Sequence, residues 1–120
     1  MITFVNLLVR RDGLSHEEFL EWWTGPHADI ARELPGLRAY RTAVPTDVEK
    51  SPYDGFVELT FDDMGALGES FDSSVGKEVQ ADAAEYVDME RSQTMIVEKT
   101  DQLDGFGRDA EVGDRESADR

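Results

Sequence analysis

The sequence predicts an α+β fold, a four-stranded antiparallel sheet with helices on one face. Two observations carry that prediction. Four short apolar runs have strand character, and two amphipathic helical regions separate the first run from the second and the third from the fourth. The order strand, helix, strand is therefore met twice, and right-handed crossovers turn two such units into a split β-α-β, ferredoxin-like sandwich.

Ile2 to Arg10 reads as the first strand. Ile2, Phe4 and Leu8 share one face with Asn6, while Val5, Leu7 and Val9 share the other with Thr3. Both faces are mostly apolar, so both are expected to be covered. Arg11-Asp12-Gly13 is a turn, and Ser15-His16-Glu17-Glu18 fits the S-x-x-E box that satisfies free amides at a helix start. His16 is expected to be solvated. The helix is predicted to run to about Leu34, kinked at Gly25-Pro26, because proline removes a helical hydrogen bond and clashes with the preceding turn. Pro35-Gly36 stops it. Phe19, Trp23, His27, Ile30 and Leu34 fall on one face of that helix. The spacing points His27 into the core beside an indole, where the kink opens space.

Leu37 to Val44 is the second strand, with Tyr40 and Arg41 near its middle, and Pro45 to Asp54 is a loop. In the third strand, Gly55 to Phe61, Val57, Leu59 and Phe61 alternate with Phe56, Glu58 and Thr60. Asp62-Asp63 caps a second helix with the stripe Met64, Leu67, Phe71. Ser73-Ser74 reads as a break and a fresh cap, followed by the stripe Val75, Val79, Ala83, Tyr86. Met89 to Lys99 contains the fourth strand, centred on Met95-Ile96-Val97. From Asp101 the chain turns to Gly, Asp, Glu, Arg and Ser without apolar periodicity. This divides it into a domain over 1–100 and a flexible acidic tail over 101–120. A docking segment held by Leu103 and Phe106 is the alternative for the tail.

Helices of a chain this short cover one sheet face only. The other carries Leu, Val, Phe or Met from several strands, and a patch of that size marks an interface. Pairing of two copies through the open sheet, with twofold symmetry, is the simplest remedy.

Composition narrows the function. Asp and Glu number 27 against 12 Lys and Arg, a net charge of −15. Nucleic acid is an unsuitable partner, because phosphate contacts need clustered cations, and anionic membranes repel such a chain. The acids are spread along the whole sequence, and three Lys stand beside nine Arg. That pattern favours a surface built for molar salt over an acidic recognition surface. There are no cysteines, which excludes disulfides, thiolate metal sites and thiol catalysis. No apolar run reaches the length of a membrane span. The N-terminus lacks the features of a signal peptide, so a cytoplasmic location is expected.

The chain resembles the EthD-like family of dimeric α/β-barrel proteins. The resemblance runs from Ile2 to about Thr100 and is carried by LSHEEFLEWWTGPHADIARELPGLRAY, DGFVELTFDD and ADAAEYVDMERSQTMIVEK. The first segment is the most specific, with an aromatic pair, a histidine four residues past Trp23, and LPGLRAY. The resemblance implies symmetric dimers whose sheets meet in a central barrel. It also implies a cleft between helices and sheet in each subunit, with His27 in that cleft as the usual candidate site residue. The family is named for a gene product linked to oxidative ether degradation. Similar proteins on this fold include lactone isomerases, polyketide cyclases and heme- or quinone-type monooxygenases, and fold alone does not choose among them.

The residues support proton chemistry. An imidazole with an ordinary pKa of about 6.5 suits general acid or base work near neutral pH, which makes His27 the candidate catalyst. Tyr40 and Asn6 can donate hydrogen bonds to an oxyanion, and Trp22 or Trp23 can wall an apolar or aromatic ligand. The plainer alternatives are a satisfied core histidine, a half-buried strand tyrosine, a satisfied buried amide and core tryptophans. His16 and His27 do not have metal-ligand spacing, and no Gly-rich phosphate loop or G-x-S-x-G elbow is present. Two functions of different class follow. One is an enzyme moving a proton on a small apolar or aromatic carbonyl compound, without metal or nucleotide. The other is a non-catalytic module holding such a molecule, or heme, for a partner oxidase.

Overall fold

The strands form where apolar residues recur at every second position, and their register sets which side chains share a face. In the computed structural model, which describes residues 1–103, four strands make one antiparallel sheet. They are β1 (Ile2–Leu8), β2 (Ala39–Ala43), β3 (Gly55–Phe61) and β4 (Gln93–Val97), in the order β2-β3-β1-β4. Tyr40 lies opposite Leu59, Leu59 opposite Phe4, and Phe4 opposite Ile96, so these four form one row across the sheet. Thr42, Val57, Asn6 and Thr94 form the next row on the same face. This is the face the helices cover, and the fold is the ferredoxin-like α+β arrangement expected.

Local chemistry sets the helix boundaries. In α1 (His16–Thr24) the Ser15 hydroxyl accepts from the Glu18 amide at 3.0 Å and the Glu18 carboxylate accepts from the Ser15 amide at 2.9 Å. Asp63 caps α3 (Met64–Asp72) through the Ala66 amide, and Ser73 caps α4 (Ser74–Tyr86) through the Gly76 amide. The expected kinked helix is instead two helices. Gly25 leaves helical geometry altogether, at φ −108° and ψ −105°, and α2 (Pro26–Ala31) starts afresh. A Cβ on Gly25 would stand 2.6 Å from the Glu21 carbonyl oxygen, so the break requires glycine. Pro26 then opens α2, where its missing N–H would have no partner anyway.

The break corrects the predicted stripe. Phe19, Trp23, His27 and Leu34 are buried, but Ile30 is only half-buried and Ala28 and Ala31 take the inward positions on α2. The helix ends at Ala31, three residues short of Leu34. Met64, expected on the α3 stripe, is 54% exposed because it stands at the first position of the helix, outside the turn that packs on the sheet. The first strand ends at Leu8, and Arg10 makes only an isolated bridge to Val87. Within the predicted loop, Val48–Lys50 forms one turn of 3-10 helix.

His16 is not solvated as expected. Its Nδ1 lies 2.8 Å from Asp54 Oδ1, and its side chain is largely covered. Asp54, itself buried, also accepts from the Arg10 amide at 2.9 Å and from the Arg10 guanidinium. One carboxylate thus ties the start of α1, the end of β1 and the entry to β3.

The core lies between sheet and helices, with Phe19, Trp23 and Phe61 fully buried at its centre. Among the described residues no helix covers the opposite face, which carries Val5, Leu7, Phe56, Met95 and Val97 around Arg41 and Glu58. Phe56 and Met95 are exposed there, and Lys99 donates to Glu58 at 2.6 Å. The helix layer also stops short of β4, leaving Ile96 exposed on the covered side. Of the expected tail, residues 101–103 have no regular structure and Leu103 is exposed, while residues 104–120, including Phe106, lie outside the described residues. Among the described residues, no helix is long and apolar enough to cross a membrane.

Candidate functional site

A cavity of about 360 Å³ opens between the helices and the covered sheet face. Its floor crosses all four strands, from Thr94 on β4 through Asn6 on β1 and Leu59 on β3 to Tyr40 on β2. Its roof comes from all four helices: Trp22 and Trp23 of α1, His27 and Ala31 of α2, Phe71 of α3, and Val79, Gln80 and Ala83 of α4. The volume lies within the range of small-molecule pockets, and the walls are mainly apolar with a few polar groups.

His27 enters the cavity wall from the first turn of α2, placed there by the Gly25 break. Its Nδ1 is 2.8 Å from Asp82 Oδ2 on α4. The same oxygen accepts from the Trp22 indole N–H at 3.0 Å. In the neutral ring, with the carboxylate accepting at Nδ1, the proton is held there and Nε2 carries the lone pair. Nε2 makes no hydrogen bond among the described residues. The His27 ring packs on Trp22 at 4.4 Å between centroids, and Trp22 in turn stacks on Tyr86 at 4.4 Å and 12°. These contacts fix the imidazole, which is 8% exposed.

Tyr40 rises from β2 into the same cavity. Its hydroxyl is buried and has no hydrogen-bond partner among the described residues. Burial pushes the phenol above its ordinary pKa, and the Arg32 guanidinium partly offsets this. A buried hydroxyl without a partner costs about 1–3 kcal/mol. On β1, the Asn6 carbonyl accepts weakly from the Thr94 hydroxyl at 3.3 Å, which leaves its amide N–H groups free to donate. Gln80 on α4 lines the cavity as well, but its amide N–H groups go to the Phe71 and Gly76 carbonyls.

All five residues singled out in the sequence, His27, Tyr40, Asn6, Trp22 and Trp23, line this one cavity. The two tryptophans differ in what they offer it. Trp23 is fully buried and presses on Gly55, where a Cβ would stand 2.8 Å from its ring, so its main part is in the core. Trp22 is engaged by Phe19, His27 and Tyr86 and presents only part of its ring. Asp82 was missed, one acid among 27. The signal was its place: three residues after Val79 and four before Tyr86, it interrupts the apolar face of α4. Among the described residues, no group of three His, Asp or Glu side chains has metal-site geometry.

A helix-covered antiparallel sheet holding a ligand-sized cavity, with a carboxylate-held imidazole in its wall, defines a ferredoxin-like domain. The family model described as the EthD domain matches residues 11–90, more than half of the chain, and the chain belongs to the EthD family. Among solved structures, it is similar to an ethyl tert-butyl ether D (EthD) family protein from Bacillus halodurans C-125, with 24% identity and a TM-score of 0.71 over 83% of this chain and 99% of that one. A dimeric protein of unknown function and ferredoxin-like fold from Bacteroides fragilis is similar at 12% identity and a TM-score of 0.64, over 82% and 95% of the two chains. SnoaB, a cofactor-independent oxygenase from Streptomyces nogalater, is similar at 14% identity and a TM-score of 0.65, over 86% and 96%. At these identities the likeness establishes the fold alone. No curated protein matches the chain.

Proposed function

We propose that the protein is an enzyme that moves a proton on a small apolar or aromatic carbonyl compound, without metal or nucleotide. The observation that carries this reading is the Asp82–His27 pair in the wall of an apolar cavity, with the second imidazole nitrogen unbonded among the described residues. Neutral His27 takes a proton from the carbon next to the substrate carbonyl through Nε2. The C–H electron pair moves into the carbon–carbon bond and the carbonyl π pair onto oxygen, giving an enolate. The Asn6 amide donates to that oxygen. Imidazolium returns the proton to a different carbon, which gives isomerisation; where the enolate carbon first adds to a second carbonyl of the same substrate, pushing that carbonyl's π pair onto its oxygen, the proton goes to the alkoxide and the result is ring closure. An enolate is also electron-rich enough to react with dioxygen, the co-reactant that an oxygenase variant of this chemistry would need. The oxygenase activity of the Streptomyces nogalater protein supports that variant only by likeness of fold.

The protein in this reading is a homodimer joined through the open sheet face, and its acidic surface is an adaptation to molar salt. Residues 1–100 form the working domain.

The test follows exchange of the α-hydrogen of propiophenone in D2O by NMR. His27→Ala is expected to lower the enzymatic exchange rate about 100-fold or more while ligand binding persists. A variant that exchanges as fast as the native protein would remove His27 from the mechanism. A second reading has its own support: a histidine whose far nitrogen is held by a carboxylate is also how metal-ligating histidines are oriented. A non-catalytic heme-binding accessory protein would give a Soret band on heme titration that His27→Ala abolishes. No such band would exclude it.

A further inference from the structure

We infer that the Tyr40 ring is the end wall of the cavity and sets the length of ligand it accepts. The inference rests on the reading of this cavity as a site for apolar carbonyl compounds. The floor runs across the sheet from β4 to β2, and Tyr40 is the last side chain along it. Beyond Tyr40, at the β2 edge, lies a second recess of about 170 Å³, lined by Thr24, Ala28, Arg32, Tyr40 and Thr42. Among the described residues, Tyr40 alone lines both spaces. Among the described residues its hydroxyl is tied to nothing that would hold the ring in place. At the opposite end of the floor, Met89 and Thr94 are exposed, an open end through which a ligand can enter. A ligand entering there with its carbonyl at His27 extends toward Tyr40. The ring stops it short of the recess, which would otherwise continue the same groove out to the β2 edge.

The probes are n-alkyl phenyl ketones from acetophenone to octanophenone, with affinity measured by isothermal titration calorimetry. A buried methylene contributes about 0.8 kcal/mol, so affinity gains roughly fourfold per carbon while the chain is inside the cavity. In the native protein this gain is expected to stop at a definite chain length. In Tyr40→Ala it continues for several further carbons as the chain enters the recess. Tyr40→Phe, which keeps the ring, is expected to retain the native limit. If Tyr40→Ala does not fold, Tyr40→Leu makes the same test with a smaller loss of volume. Binding with an unchanged limit in the ring-deleted variant overturns the inference and leaves the functional reading standing. So does a limit that moves in Tyr40→Phe, because the hydroxyl would then be the determinant. Failure of the native protein to bind any member of the series overturns both.

Discussion

Asp82 joins two roles in one oxygen atom. It accepts from the His27 ring and from the Trp22 indole at once, so the imidazole and part of the cavity wall are oriented by the same carboxylate. Asp82→Asn keeps the shape of the side chain and removes its charge, which weakens both bonds and no longer fixes the imidazole tautomer. The expected outcome is a fall in kcat of about 10-fold to 100-fold with KM little changed, since the cavity walls stay in place. Tryptophan emission should shift too as Trp22 loses its charged acceptor. A KM effect alone would make Asp82 a binding residue. His27 and Asp82 also show how far single residues could be read from sequence. Each is a polar residue on an apolar helical stripe, and that anomaly exposed His27 because histidine occurs twice in the chain. The same anomaly hid Asp82, because the surface of this protein is crowded with carboxylates.

The elements were legible wherever their signals are local. Capping boxes and strand alternation depend on neighbours a few residues apart, and Ser15, Asp63, Ser73 and the whole of β3 were placed from them. The helix break was harder. Pro26 suggested a kink, but the break sits at Gly25, where any side chain would meet the Glu21 carbonyl one turn earlier, and that crowding is visible only once the turn is built. Pairs distant in sequence left no trace, and His16 with Asp54 is the clearest, 38 positions apart. Burial alone would raise the Asp54 carboxyl, but the Arg10 amide, the His16 ring and the Arg10 guanidinium together hold it below its ordinary value of 3.8. A carboxylate depressed in the folded state stabilises fully above its unfolded pKa, and the stabilisation is lost as pH falls through the folded value. Asp54→Asn should therefore cost about 1–3 kcal/mol at pH 7, the penalty of breaking a buried charge-assisted cluster. The gap between variant and native protein should narrow below about pH 3.8. Urea unfolding at pH 7 and pH 3 checks both, and an equal gap at the two values would mean that the Asp54 charge is not what clasps β1 to α1.

At the scale of the molecule, charge and the open sheet face act against each other. The exposed apolar side chains on that face favour a second copy, but each copy brings a net charge of −15. At 0.1 M salt the Debye length is about 10 Å, so repulsion acts within the protomer and across any dimer interface. At 1 M it falls to about 3 Å, and only groups in direct contact still sense one another. Exposed ion pairs such as Arg32–Asp29 and Arg38–Asp62 engage few of the acids and contribute little each. The acids that remain unpaired are a cost at low salt that screening removes. If the surface is adapted to molar salt, raising KCl from 0.1 to 2 M should raise the Tm by several degrees. It should also shift sedimentation from protomer toward dimer, because screening relieves both forms of repulsion together. A surface made acidic for recognition of a cationic partner predicts another result: Tm little affected by KCl, and added polycation, not salt, supplying the stabilisation. A flat Tm with a salt-driven dimer would place the repulsion at the interface alone, and the Arg41–Glu58–Lys99 cluster on the open face would then be the place to alter it.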